Sequence, residues 1–288
     1  MSRVLNHLKM SALKISGAIR VAYSFTSTDH LTTMVPALLY AIISTPKFSA
    51  GRMLQAILWV WFHILQTCTA NQMLGVLEDT INKPHRPIPA GRISVGHTKI
   101  LRYSLVPVCL GLSWLLGVAR FGMVFAVGIW VYNELGLSGA SFYTRNVLNS
   151  VGIVALETGA AEIVAGGAES VGPSRVHLYP VTALLIATTI HVQDFRDVAG
   201  DRKQGRTTLP IAMPESSRTI TLGLMICWSA GLTFLWGRSL SFPTAMLFLG
   251  LGVYVGGRIY FLRTEPADQV SFKLYMVWLA FAQILPLL

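Results

Sequence analysis

Acidic side chains are scarce in this 288-residue chain, and they are gathered: five of its 13 Asp and Glu residues lie in two short segments. The first reads Asn71-Gln-Met-Leu-Gly75-Val-Leu-Glu78-Asp79 and runs on through Asn82-Lys83-Pro84-His85-Arg86-Pro87-Ile88-Pro89. The second reads His191-Val-Gln193-Asp194-Phe-Arg196-Asp197-Val-Ala-Gly-Asp201-Arg202-Lys203. At about 100° per helical residue, Asp194, Asp197 and Asp201 fall within about 60° of arc. Asn71 and Glu78 lie about 20° apart, with Asp79 about 80° from Asn71. Each segment therefore aims several oxygen donors one way. Like charges on one helical face repel, so the crowding calls for a cation between them. Oxygen-only ligands favour Mg2+, which binds through a few carboxylates and keeps positions for water and phosphate oxygens. Lys83, Arg86, Arg196, Arg202 and Lys203 supply the charge that would hold an anion. Metal and bases together describe a diphosphate site, whose natural chemistry is to stabilise a departing diphosphate. Solvated loop acids neutralised by neighbouring bases are the plainer reading for one cluster; two clusters, each beside a basic run, argue against it.

The elements that must position these residues follow from composition. Hydrophobic residues make up 53% of the chain, charged residues 12%, and the mean hydropathy is +0.56. A soluble domain carries roughly 25% charged residues, so a cytosolic enzyme, a coiled coil and a disordered chain are excluded. An all-α integral membrane protein remains. Nine stretches are apolar enough to span, at roughly 30–46, 52–77, 95–118, 121–136, 145–168, 175–193, 216–237, 241–262 and 270–288. The fourth is short. The first 28 residues lack the apolar core of a signal peptide; Lys9, Lys14 and Arg20 among Leu5, Leu13, Ile15 and Val21 suggest an interfacial helix within 1–29 instead. Residues 30–288 form the membrane domain. With the N-terminus and the connections after even-numbered spans on one side, that side holds 18 of the 23 Lys and Arg residues. The positive-inside rule makes it the cytoplasmic side, and both acidic clusters fall on it. The net charge of +10 then meets anionic headgroups of the lipid bilayer rather than nucleic acid. Cys68, Cys109 and Cys227 lie in apolar stretches without CxxC spacing and read as small core residues.

The segment from Asn71 to Pro89, with its continuation Ala90-Gly-Arg-Ile-Ser94, resembles the first aspartate-rich motif of the UbiA prenyltransferase superfamily. Asp194-Phe-Arg-Asp-Val-Ala-Gly-Asp-Arg-Lys-Gln-Gly-Arg-Thr-Thr-Leu-Pro210 resembles the second, and both follow the second and sixth spans as in that family. The resemblance covers essentially the whole chain. It implies a nine-helix transmembrane bundle around a central cavity, capped on the cytoplasmic side. In such a bundle a prenyl diphosphate binds through Mg2+ and ionises to an allylic cation. By position, Asn71, Asp79, Asp194, Asp197 and Asp201 match the metal site; Lys83, Arg86, Arg196, Arg202 and Lys203 lie where bases contact the diphosphate. The family's first motif is NxxxDxxxD, and this chain has Gly75 at the middle acid. Glu78 returns to the Asn71 side of the helix and is placed to supply the missing carboxylate.

The altered motif is closest to the fungal branch of membrane-bound terpene cyclases. Quinone-pathway relatives carry a Lys-Arg pair after the fourth helix, where this chain has Ser141-Phe142-Tyr143-Thr144-Arg145. The resemblance thus implies cyclisation of geranylgeranyl or farnesyl diphosphate, with prenyl transfer to an aromatic acceptor as the alternative. A cyclase needs aromatic faces around its cation; Trp59, Trp61, Phe62, Trp114, Phe125, Trp130, Tyr132 and Tyr179 are available, and Tyr132 is the strongest candidate. Glu157, within the fifth span, is expensive to bury and is expected to face the cavity; Glu162 lies nearer the opposite surface. A transporter is a reading of another class, but acids confined to one rim trace no path across. If the host is eukaryotic, the membrane is that of the endoplasmic reticulum.

Overall fold

The computed structural model describes residues 16–45, 48–171, 178–237 and 239–287. Every regular element among them is helical. The first, α1, covers 16–26 and passes through a turn into a π-helical segment, His30–Met34, then α2, Val35–Ile43. Then come α3 (Ala50–Leu74), α4 (Val76–Asn82), α5 (Val95–Leu115), α6 (Ala119–Asn133), α7 (Leu137–Ala140) and α8 (Phe142–Ala165). The second half holds α9 (Leu178–Thr189), a 3-10 segment Ile190–Asp197, α10 (Val198–Lys203), α11 (Leu209–Ala212), α12 (Ser217–Trp236), α13 (Phe242–Phe261) and α14 (Glu265–Ile284). Local chemistry marks several boundaries. Ser94, Ser141 and Ser241 cap α5, α8 and α13 by accepting from the backbone N–H three residues on. Pro36 and Pro243 sit in first turns, where a missing N–H costs nothing.

Helix α8 is the axis of the bundle, packed against α2, α3, α6 and α9. Its stretch Ala155–Ala165 is buried throughout. Its small residues permit this: a Cβ on Gly159 would run into the ring of Trp59 on α3. One core cluster surrounds Trp59, Val60, Leu156 and Ala160; a second joins α9 and α12–α14 around Phe248, Tyr275 and Trp278. Many large apolar side chains face outward, with Phe234 91% and Leu115 80% exposed. Water does not tolerate so extended an apolar surface, and a bilayer does. Among the described residues α3, α8, α12 and α13 are each long and apolar enough to cross one, as a multi-pass membrane protein requires.

Several expectations change in detail. The stretch 52–77 bends at Gly75, where φ is −98° and ψ 24° and α3 gives way to α4. The stretch 175–193 is helical from Leu178 and tightens after Thr189 into 3-10 geometry, so the 100° step does not hold for Asp194 and Asp197. Cys227 is exposed on the apolar exterior, unlike the buried Cys68 and Cys109. Trp114 and Trp130 also point outward, which removes them from a cavity lining. Lys9, Lys14 and the rest of 1–15, with Lys47, Arg175 and Arg238, lie outside the described residues.

Candidate active site

The two acidic segments meet end to end. After the bend at Gly75, α4 turns Glu78 and Asp79 inward, and both are buried. Opposite them, the 3-10 segment stacks residues three apart almost directly over each other, so Asp194 and Asp197 line up and Asp201 follows from α10. All three are buried. Asn82 joins the halves: its Nδ2 donates to the Asp197 carbonyl at 2.9 Å and its Oδ1 accepts from Gly200 N–H at 3.0 Å. A Cβ on Gly200 would occupy the Asn82 amide itself. Gly200→Ala is therefore expected to part the two segments and lower activity by about a hundredfold. A thermal shift of the purified variant checks that the loss is local, since most of the core lies elsewhere.

Five cations interleave with the five acids. Lys83 Nζ lies 3.3 Å from Glu78 Oε1 and 2.9 Å from Asp197 Oδ2. Arg86 Nη1 donates to Asp79 Oδ1 at 2.7 Å, and Arg145 Nε to Asp194 Oδ1 at 3.1 Å. Arg206 binds Glu78 and reaches Asp201 Oδ1 at 3.1 Å, while Arg196 lies 3.7 Å from Asp197 Oδ2. The balance differs from acid to acid. Burial pushes Glu78 up, but Lys83, Arg206, Arg145 and Arg86 together hold it at about 2. Burial dominates at Asp79 and raises it to about 6 against the pull of Arg86; at Asp194 burial again dominates over Arg145, giving about 6.

The donor set fits Mg2+. Asp79 Oδ2, Asp194 Oδ2, Asp197 Oδ1 and Asp201 Oδ2 are all buried and have no hydrogen-bond partner. Leaving such acceptors unmade is costly, and these four lie on the two segments that meet here, which leaves oxygens on both for a ligand to satisfy. Among the described residues no three acidic, His or Cys side chains converge into a cage by themselves. A Mg2+ ion held here would complete its shell with water and phosphate oxygens.

Sequence reasoning found most of these groups but not all. Arg202 and Lys203 are exposed and take no part in the ion pairs found among the described residues. The base of this stretch that enters the ion pairs is Arg206. Its signal was Gly205, which at φ 73° closes α10 and lets Arg206 N–H return to the Asp201 carbonyl at 2.9 Å. Arg145, read only as a remnant of a basic pair, is buried against Asp194, with the Tyr132 ring centroid 5.9 Å from its guanidinium carbon. Asn71 lies one turn before the bend, its carbonyl accepting from Gly75 N–H at 2.7 Å. Glu157 is apart from this cluster. It accepts from Gln283 at 2.8 Å and, with Thr32, Thr33 and Met276, lines a small cavity between the first span, α8 and α14. Glu162 pairs with Arg120 instead.

A family model described as the UbiA prenyltransferase family matches residues 31–281. The chain belongs to the UbiA prenyltransferase family. It is 31% identical over 294 residues to the fumagillin beta-trans-bergamotene synthase of Aspergillus fumigatus, covering 100% of this chain and 97% of that one. To the somaliensene A/B synthase of Streptomyces somaliensis it is 29% identical over 277 residues, covering 92% and 91%. Its fold is that of a UbiA homolog from Archaeoglobus fulgidus solved bound to DMAPP and Mg2+: TM-score 0.65 at 14% identity, covering 92% of this chain and 98% of that one. The two motifs thus sit in a UbiA fold, each inside the matched region.

Proposed function

We propose that this UbiA-family enzyme is an Mg2+-dependent membrane terpene cyclase, taking a linear prenyl diphosphate such as farnesyl or geranylgeranyl diphosphate. One observation carries the reading: four buried, unpartnered carboxylate oxygens ringed by five cations at one end of an apolar bundle. Full-length similarity to two terpene synthases supports cyclisation over transfer to an aromatic acceptor, and the Archaeoglobus homolog with DMAPP and Mg2+ supports the ligands. In this reading Asn71, Glu78, Asp79, Asp194, Asp197 and Asp201 hold the metal, which when bound neutralises the charge gathering on the departing diphosphate. Lys83, Arg86, Arg145, Arg196 and Arg206 take the phosphate oxygens. Ionisation breaks the C1–O bond, and the electron pair leaves with the diphosphate. An internal alkene of the same chain then attacks the allylic cation, and loss of a proton leaves a cyclic hydrocarbon. The apolar interior excludes water that would quench the cation. Tyr132, beside Arg145, lies where the diphosphate end meets that interior, and Glu157 faces it from α8. In this reading the bundle has nine spans with both motifs on the cytoplasmic face and, if the host is eukaryotic, lies in the membrane of the endoplasmic reticulum.

The test supplies membranes with Mg2+ and geranyl, farnesyl or geranylgeranyl diphosphate without any acceptor. Gas chromatography–mass spectrometry is expected to find a cyclic hydrocarbon that an Asp197→Ala control does not make. Product only after an aromatic acid or quinone precursor is added would make the protein a prenyltransferase.

A further inference from the structure

Two helices leave the ion cluster and are tied together again deep in the bundle. Near the start of α8, Arg145 Nε donates to Asp194 Oδ1 at 3.1 Å. Near the start of α14, Gln269 Oε1 accepts from Arg196 Nη1 at 3.0 Å, and the Arg196 guanidinium carbon lies 3.9 Å from the Phe272 ring centroid. The second tie is the hydrogen bond from Gln283 Nε2 to Glu157 Oε1, 2.8 Å long, with both side chains buried. It lies about 18 Å along α8 from Arg145 and about 21 Å along α14 from Gln269, at 1.5 Å per residue. Helix α2 packs against both rods between these ties.

The two helices change character together over that distance. On α8, Asn146, Asn149, Ile153 and Glu157 fall within about 80° of arc, and on α14 so do Gln269, Phe272, Met276, Leu279 and Gln283. Next to the cluster the α8 stripe is polar, and its Asn146 Oδ1 and Asn149 Nδ2 are buried with no hydrogen-bond partner. Farther in, Ile153, Met276 and Leu279 line one cavity with Glu157 and Gln283, and Ala37 of α2 forms its third side. Polar atoms without partners, then apolar walls, then a bonded polar pair suit a ligand with an anionic head and an apolar tail. The pair closes the far end. A tail that ran past it would part the hydrogen bond and leave a carboxyl and an amide buried and unpaired, a cost that a shorter tail avoids. As a mere fastening between membrane helices the same bond would affect stability, and it would not discriminate between tails.

We propose that the Glu157–Gln283 pair is the floor of the prenyl chamber and sets the chain length: below a diphosphate held at the cluster, three isoprene units extend to this depth and a fourth meets the pair. The inference rests on the prenyl diphosphate reading above. Full-length protein in nanodiscs with Mg2+ is titrated calorimetrically with geranyl, farnesyl and geranylgeranyl thiolodiphosphates. Their C1–S bond resists ionisation, so affinity is read without turnover and without an acceptor. Wild type binds the farnesyl analogue more tightly than the geranylgeranyl one. Comparing the geranylgeranyl-to-farnesyl affinity ratio between variants cancels the partition of each chain into lipid. Glu157→Ala with Gln283→Ala raises that ratio about tenfold, because the fourth unit gains an apolar seat. Glu157→Gln keeps a hydrogen-bonding pair of the same size and leaves the ratio within about twofold. Leu232→Ala hollows a neighbouring cavity between α9, α12 and α14, off this course, and also leaves it within about twofold. If the double Ala variant does not accumulate, Ala37→Leu fills the cavity from its third side: the farnesyl analogue weakens about tenfold and the geranyl analogue stays within about threefold. A double variant with the wild-type ratio overturns the inference, as does an Ala37→Leu protein that weakens both analogues equally. An equal rise in Leu232→Ala also overturns it, since that marks a general loosening, and so does a wild type that binds the geranylgeranyl analogue as tightly as the farnesyl one. A wild type that binds none of the three overturns the prenyl diphosphate reading itself, and the inference with it.

Discussion

Asp194→Asn is expected to lower turnover of a prenyl diphosphate about a thousandfold, the scale of losing one preorganised electrostatic group. In barrier terms this is about 4 kcal/mol. Asn keeps the shape and keeps an oxygen for the Arg145 Nε–H, so the substitution removes charge and little else. What remains is a guanidinium buried against a neutral amide, with Nη1 already lacking a partner. Removing one member of a buried pair typically costs about 3–5 kcal/mol of stability, so the variant should also melt earlier. Asp194→Asn with Arg145→Gln separates the two effects. The double variant is expected to recover most of the lost stability, because no uncompensated charge is buried, and none of the activity, because the metal and phosphate both lose a partner. Rates at saturating substrate, read beside a thermal melt in detergent, decide it. A folded Asp194→Asn protein retaining more than about a tenth of wild-type turnover would remove this residue from the site.

What was legible in the sequence followed from strong signals. Helical segments occupy the apolar stretches because, in lipid, backbone polar groups must be satisfied within the segment. The acids were legible because five of the 13 are clustered in two segments. Less legible was anything depending on backbone departures from a regular helix. A 100° step places Asp194, Asp197 and Asp201 on one face, and the chain brings them together by another route, a 3-10 segment followed by α10. Arg206 was passed over in favour of Arg202 and Lys203 because adjacency in sequence was taken for adjacency in space; Gly205 reverses the chain between them. Asn82 and Gly200 were written within the motifs, but their pairing is a tertiary contact between residues over a hundred positions apart.

The family difference at Gly75 leads to the second large effect. A Cβ on Gly75 would stand 3.4 Å from Glu78 Oε2 and 3.5 Å from an Arg206 guanidinium nitrogen, so an acid at 75 would begin where the Glu78 carboxylate now ends. Two positions on one bend address the same space, and this chain fills it from the second. Glu78→Gln is accordingly expected to cut turnover about a hundredfold, since Lys83 and Arg206 lose a shared counter-charge and a metal held here would exchange a carboxylate donor for a neutral amide oxygen. Adding Gly75→Asp to that variant is expected to bring turnover back to within about tenfold of wild type. The dihedral allows it, since φ at Gly75 is −98°, which any residue adopts; the one tight contact is 3.0 Å to the Asn71 carbonyl, which must give by a few tenths of an ångström. Gly75→Asp alone crowds two carboxylates against one guanidinium and should gain nothing. The three variants are compared with wild type by initial rates across an Mg2+ titration. Rescue in the double variant, at a similar Mg2+ requirement, makes Glu78 the functional replacement for an acid at 75. A double variant no better than Glu78→Gln means that its carboxylate serves to anchor Lys83 and Arg206, and the metal takes its oxygens from Asp79 and the second motif alone.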